Sequence, residues 1–522
     1  MTTTIAESIT KAASKQTYCT IRFLVDRERV EDAYRAYGYF RWVDVSMDKI
    51  RFRFLYLTLC LSLILTACGA SPIQKIDLQP CQVSDLAAQC GTLSVFEDRA
   101  TNSGRMIDIF VAVIKARGEN PAPDPIFWLA GGPGGSATED VSYAMRILGS
   151  ANEQRDMVFM DQRGTGLSNK LACDATTDPL QTADVLRRCL ANIDSDPSAY
   201  TTAWGMDDLD DVRAALGYER INLYGGSYGG TAGQVYIQRH GQHVRAAAFD
   251  GVSLLDVPMF ERYPISSQNA LDLLFERCEK DVACQSAFPN LRMEFIEALA
   301  QLEQSPTTMP INDPSTGQPY VLTAGIFRTA IHNALGSTST AVFVPGFIHL
   351  VYKKDWNGLV TFLAPFLNAD SESPQWRMMS LTILCYEDWA KIRSDETIAA
   401  SVGSYLTYED IRELTVLEDI CAVIPPPKEE ALYGPVKNSP VPILLFNGEA
   451  DPQDPPENAA DARQHYPNSL NLIVPGQAHG FTDIVCRASI VASFIEIGSI
   501  EGLDVDCLQE QSLPPFTVDI IL

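Results

Sequence analysis

The sequence predicts an α/β fold: a mostly parallel sheet of about eight strands, helices on both faces, and a large helical insertion near its end. Three observations carry this reading. Strand-like apolar runs alternate with helix-like patterns, as parallel strands joined by crossover helices require. The alternation stops between Asp250 and Pro440, where only helical patterns remain, and then two more strand-like runs follow. Hydrophobic residues make up 46% of 522 residues, ample for a sizeable core and for more than one domain.

The strand-like runs lie at 91–96, 106–114, 126–129, 157–160, 221–224, 244–249, 443–446 and 470–474. Helical patterns at 206–216 and 231–239 separate some of them. Right-handed crossovers put functional groups at the strand C-termini. The insertion reads as helices at 267–280, 291–302, 324–335, 345–352, 356–368 and 408–413. Its position predicts a cap over that end of the sheet, placed before the last two strands and able to limit substrate length. Pro425, Pro426, Pro427 and Pro440 mark the return to the core.

The chemistry concentrates at strand ends. The run Leu223-Tyr224-Gly225-Gly226-Ser227-Tyr228-Gly229-Gly230 places a serine inside Gly-x-Ser-x-Gly after a strand. A serine hydroxyl becomes a useful nucleophile when a sharp strand-to-helix turn lifts it clear of the backbone, and that turn admits only small flanking residues. The strand at 443–446 leads into Asp451, and the one at 470–474 leads into His479 within Gly-Gln-Ala-His-Gly. The order serine, aspartate, histidine is that of the α/β-hydrolases. Ser227, His479 and Asp451 are therefore the candidate nucleophile, base and orienting acid. A glycine-rich loop after the strand at 126–129, Gly131-Gly132-Pro133-Gly134-Gly135, offers Gly132 N–H to an oxyanion, with Tyr228 N–H as the second donor. Asp161 and Arg163, in Asp-Gln-Arg-Gly-Thr-Gly, read as structural residues that brace this loop.

Taken together, Gly-Gly-Pro-Gly-Gly, Asp-Gln-Arg-Gly-Thr-Gly, Gly-Gly-Ser-Tyr-Gly-Gly and the late aspartate and histidine resemble the serine peptidases related to proline iminopeptidase. The sequence is most similar to their secreted tripeptidyl-aminopeptidase-like branch, over roughly residues 80 to 510. The resemblance implies hydrolysis of a peptide bond near a free N-terminus, without metal or cofactor. Two departures stand out. Ala130 precedes the glycines where iminopeptidases usually carry histidine, which weakens an expectation of proline specificity. Asp454 stands where the family usually has threonine, leaving a second carboxylate three residues beyond Asp451; Asp451 is preferred because it directly follows the strand. An aminopeptidase must bind a protonated α-amine, and carboxylates are its natural partners. In the related family acidic cap residues do this, which singles out Glu387 first and Asp388 second in Cys385-Tyr386-Glu387-Asp388-Trp389. Trp376 and Trp389 are candidate pocket walls, although helical aromatics are more often core.

The front of the chain predicts export. Lys49, Arg51 and Arg53 precede an apolar stretch ending in Leu65-Thr66-Ala67-Cys68; at about 14 residues this stretch is too short to span a bilayer and suits a secretory signal. Its end resembles a bacterial lipobox, which implies cleavage before Cys68, lipidation there and a membrane anchor. The expected organisation is an upstream leader (1–46) before a true start at Met47, a signal peptide (47–67), a tether (68–80), a first core part (81–256), a helical cap (257–439) and a C-terminal core part (440–522). Of 13 cysteines, ten follow Cys68, an even number as oxidised secreted domains favour. Sequence leaves their connectivity open. The simplest choice joins neighbours: Cys81 with Cys90, Cys173 with Cys189, Cys278 with Cys284, Cys385 with Cys421, and Cys486 with Cys507. No cysteine or histidine cluster has zinc spacing.

The formal charge is −26, and near −29 without the first 67 residues, which hold ten basic and seven acidic side chains. Such a surface disfavours nucleic acid. The sequence thus predicts a membrane-anchored, exported serine exopeptidase acting on peptides. A carboxylesterase with the same triad and a surface-binding lipoprotein without activity are the competing readings.

Overall fold

The computed structural model describes residues 75–171, 183–312, 317–367, 374–415, 417–429, 434, 436–480, 484 and 486–519. Eleven strands are present among them: β1 Gln79–Val83, β2 Leu86–Phe96, β3 Met106–Ile114, β4 Ile126–Leu129, β5 Met157–Met160, β6 Ile221–Gly226, β7 Val244–Asp250, β8 Thr307–Asn312, β9 Pro319–Leu322, β10 Ile443–Gly448 and β11 Ser469–Val474. Nine form one sheet in the order β1-β2-β3-β5-β4-β6-β7-β10-β11. From β5 to β11 every neighbour is parallel, while β1, β2, β3 and β5 pair antiparallel.

The sequence patterns explain this division. β4 (IFWL) and β5 (MVFM) are buried at every position, because helices cover both faces of a parallel sheet. Alternate residues feed the two sides. Phe127, Leu129, Val158 and Leu223 join one apolar cluster; Ile126, Trp128, Met157, Phe159 and Tyr224 join the other. The first half of β3 alternates exposed and buried residues, as expected where one face of an antiparallel ribbon meets solvent.

Three details depart from the sequence reading. The sheet has nine strands rather than about eight, since β1 begins within the stretch assigned to the tether. β1 is short and largely exposed; pairing with β2 and the Cys81–Cys90 bridge hold it. The insertion contains a hairpin, β8–β9, whose strands carry prolines and little apolar alternation, so they do not announce themselves. The first insertion helix starts at Met259, not 267, running through Pro264, a residue that ordinarily reads as a helix stop.

The remaining insertion is helical, including Leu291–Gln304, Ala324–Leu335, Val344–Lys353, Trp356–Leu367, Pro374–Ile383 and Tyr408–Thr415. Helix Pro374–Ile383 continues into a π-helical turn, Leu384–Asp388; such turns interrupt the regular ladder and frequently mark functional sites. The Cys385–Cys421 disulfide ties this turn to helix Leu417–Cys421. Bridges Cys278–Cys284 and Cys486–Cys507 are also formed. Cys189 is disulfide-bonded, while Cys173, the partner expected for it, lies outside the described residues. Cys68 and the signal-like segment lie outside them too. Among the described residues no helix is long and apolar enough to cross a membrane.

Backbone packs closely on backbone where β6 meets helix Tyr228–His240. A Cβ on Gly229 would stand 2.2 Å from the Leu129 carbonyl oxygen, and one on Gly225 would stand 2.5 Å from the Gly229 backbone. Backbone cannot retreat as a side-chain tip can. Gly229→Ala is therefore expected to destabilise the protein by about 3 kcal/mol or more, read as a lowered urea midpoint at unchanged slope.

Candidate active site

Ser227 occupies the turn between β6 and helix Tyr228–His240, with φ 54° and ψ −128°. A non-glycine residue at positive φ is strained, and the surroundings enforce it. Ser227 N–H donates to the Asp250 carbonyl at 2.8 Å and its own carbonyl accepts from Gly230 N–H at 2.8 Å. The side chain is thereby turned outward at the C-terminal edge of the sheet.

Two further loops converge on it. His479 Nε2 lies 3.0 Å from Ser227 Oγ, and His479 Nδ1 lies 3.0 Å from Asp451 Oδ2. Asp451 Oδ1 accepts the N–H groups of Gln453 and Asp454, each at 2.8 Å, so one oxygen anchors the carboxylate and the other faces the imidazole. The loops after β10 and β11 are joined as well. Ala450 N–H donates to the Gln477 carbonyl at 2.8 Å, and Gly476 N–H donates to the Glu449 carboxylate at 2.8 Å. Burial opposes charge on His479, but the Asp451 and then the Asp454 carboxylates overcome it and hold the imidazole up at about 9.

The loop after β4 passes beside the serine. A Cβ on Gly131 would stand 3.7 Å from Ser227 Cβ, and Gly132 and Tyr228 line the same cleft as Ser227. Tyr228 opens a helix, so its N–H has no carbonyl from a preceding turn to bind. Asp161 holds this loop: its carboxylate accepts Ser136 O–H, Thr138 N–H, Thr138 O–H and Leu167 N–H, each at 2.9 Å. Arg163 points the other way. Fully buried, it grips Asp208 with Nε and Nη2 at 2.6 and 2.8 Å and donates to the carbonyls of Glu97 and Ala199.

The cap supplies the opposite wall. Asp388 and Lys391 line the cleft with Ser227. Glu387 sits behind them, 3% exposed. Its Oε1 accepts Thr202 N–H at 2.8 Å, while its buried Oε2 has no partner among the described residues. Asp388, at the end of the π-helical turn, thus borders the cleft, while Glu387 is anchored to Thr202. Burial lifts the Glu387 carboxyl to about 7 against the Thr202 hydrogen bonds; burial likewise raises Asp388, with Lys391 opposing. Trp389 lies against Phe260 at 6.0 Å between rings, as a core aromatic does; the Trp376 side chain is outside the described set. Sequence reading missed Thr202 and Gln162, whose side chains meet the Tyr228 hydroxyl at 2.7 and 3.4 Å, and Gln453, whose amide nitrogen is 3.3 Å from His479 Nε2. Gln162 and Gln453 lie inside motifs already singled out, which was the available signal. Among the described residues no cluster of His, Cys, Asp and Glu could hold a metal ion.

Comparison with known proteins agrees with this architecture. Residues 124–281 match the alpha/beta hydrolase fold family, and residues 410–507 match the family described as TAP-like protein. The chain has the α/β-hydrolase fold and is an enzyme. More narrowly, it carries a TAP-like C-terminal part, which begins within the stretch read from sequence as cap, and its relatives are serine peptidases. The tripeptidyl aminopeptidase of Streptomyces coelicolor is 24% identical over 80% of this chain and 83% of its own length. Serine protease Hip1 of Mycobacterium tuberculosis is 26% identical over 46% of this chain and 52% of its own. Among solved structures, proline iminopeptidase of Mycobacterium smegmatis is similar at 17% identity and a TM-score of 0.36, over 78% of this chain and 98% of that one.

The Arg163 clamp yields a test of the scaffold. Arg163→Met strips Asp208 of its bidentate partner, with Arg99 at 3.3 Å the cation left to it among the described residues. The expected loss is about 3 kcal/mol, since breaking a buried pair typically costs that much or more, measured by urea denaturation.

Proposed function

We propose that this chain is an exported serine exopeptidase that hydrolyses peptide bonds near free N-termini through an acyl-enzyme. The observation that carries the proposal is the continuous hydrogen-bonded relay from Ser227 Oγ through His479 to Asp451, its serine set in a cleft whose cap wall bears the Asp388 carboxylate. Ser227 Oγ attacks the scissile carbonyl carbon while His479 Nε2 takes its proton. The carbonyl electron pair moves to oxygen, which the N–H groups of Gly132 and Tyr228 stabilise. Asp451 steadies the resulting imidazolium. The C–N bond then breaks as His479 returns the proton to the leaving amine. Water, deprotonated by His479, attacks the acyl-enzyme and releases the second product by the same steps in reverse.

The substrate's α-ammonium pairs with Asp388, with the buried Glu387 Oε2 as a second acceptor behind it. Such charge-assisted contacts are the strong ones in a desolvated site. Export is supported by the signal-like segment ending at Cys68 and by the disulfides, which persist in oxidising compartments. The lipid anchor at Cys68 belongs to the same proposal.

Ser227→Ala and His479→Ala are expected to lower kcat by roughly four orders of magnitude or more, and Asp451→Asn by a comparable factor, each with the fold intact. Tripeptidyl and aminoacyl anilides should be turned over by the wild type. Turnover of short acyl esters alone would replace the peptidase with a carboxylesterase. Asp388→Asn should raise KM for free-amine substrates by roughly tenfold, as loss of one charge-assisted bond implies, and leave the N-acetylated substrates, already poor, unchanged. Equal loss on both substrate types would remove Asp388 from amine recognition.

A further inference from the structure

The loop bearing Asp451 carries a second carboxylate that the relay above does not use. Asp454 is 4% exposed, and its Oδ2 lies 3.5 Å from His479 Nδ1, just outside the 3.0 Å Asp451 contact. It is firmly held. The Ser253 hydroxyl donates to Asp454 Oδ1, and Asn458 Nδ2 in turn donates to that hydroxyl at 2.8 Å. The Gln453 side-chain amide donates to Asp454 Oδ2 at 3.2 Å, and Asp454 N–H donates to Asp451 Oδ1 at 2.8 Å. The two carboxylates therefore keep a fixed spacing on one side of one imidazole.

We propose that Asp454 is a positioning residue for His479, a second carboxylate beside Nδ1 that stabilises the imidazolium formed as Ser227 attacks. This rests on the assignment of Ser227 and His479 as nucleophile and base. Other groups facing the imidazole add little opposing charge. His332, on helix Ala324–Leu335, bonds Ser267 Oγ through Nδ1 at 2.7 Å, and burial pushes it down to about 4, leaving it neutral near pH 7. Tyr263, on helix Met259–Lys280, is kept neutral by burial, with Asp454, Asp451 and Asp388 adding to that effect. Across the cleft stand Asp388 and Lys391, where burial raises the Asp388 carboxyl and Lys391 opposes that rise. The field at His479 is thus set by Asp451 and Asp454.

The sign follows. Burial raises the Asp454 carboxyl, with His479 opposing and Asp451 adding to the rise, and its effect on the imidazole is that of its ionised form, 3.5 Å from Nδ1. Ionised, it favours imidazolium over imidazole and moves the pH at which His479 becomes a neutral base upward. Removing the charge must move that pH downward.

The test uses the purified full chain with Asp454→Asn and Asp454→Thr. Two readouts are followed against pH: the rate of Ser227 labelling by a fluorophosphonate, and the NMR titration of His479, assigned by its absence in His479→Gln. Both the acid limb of labelling and the His479 titration should fall by about one pH unit in each variant, the scale of a charge within 4–6 Å. The plateau rate should fall by less than about tenfold, far less than in Asp451→Asn. Unmoved limbs and titrations in both variants would overturn the proposal. So would a plateau loss matching Asp451→Asn, which would make Asp454 the orienting acid itself. Failure of the peptidase reading is separable: a chain that cleaves esters and no peptides still gives both readouts, and they still decide the role of Asp454.

Discussion

The strained turn at Ser227 is the constraint on which the rest depends. A φ of 54° is unfavourable for serine by about 1–3 kcal/mol, so the surrounding packing must over-determine it. Leu129 of β4, Gly225 of β6 and Gly229 of the following helix approach so closely that no side chain fits between them. The strand cannot run on and the helix cannot back away. One hydroxyl is thereby fixed at the sheet edge, where loops from β4, β10 and β11 can reach it. Parallel strand order does the remainder, because all four strands end on the same side.

Around that point the fold accumulates negative charge rather than neutralising it. Asp451 and Asp454 face His479 from one side, and Asp388 and Glu387 come from the cap. Burial lifts the Glu387 and Asp454 carboxyls above their ordinary range, and the neighbouring carboxylates add to that lift. A cationic group is the natural complement to such a site: the imidazolium on one side, an ammonium from a substrate on the other. The cap touches two of the loops at this site, those after β11 and β4. Gly480 N–H donates to the Gly336 carbonyl at 2.8 Å, and Ser380 donates to the Pro133 carbonyl. The insertion is thereby tied to loops that surround Ser227.

Much of this was legible in the sequence for reasons that are local. Small residues flanking Ser227 report a backbone crossing, and Asp451 and His479 each follow a buried-strand pattern, so the sheet places them without further information. Asp161 could be read as bracing the glycine loop because it too follows a strand. What stayed hidden depends on packing between distant segments. Glu387 and Asp388 lie in a π-helical turn that no periodicity announces. β1, β8 and β9 are short and each carries a proline, so they do not show as strands. The partners Thr202 and Ser253 are ordinary polar residues until the fold brings them to the site.

The central claim is that Ser227, His479, Gly132 and Tyr228 form one reaction centre. The most direct measurement is a crystal structure of the chain after phosphonylation. The account predicts phosphorus bonded to Ser227 Oγ, its unesterified oxygen within about 3 Å of the Gly132 and Tyr228 nitrogens, and His479 Nε2 hydrogen-bonded at the leaving-group side. Phosphorus on another residue, or an oxygen turned away from both nitrogens, would contradict it.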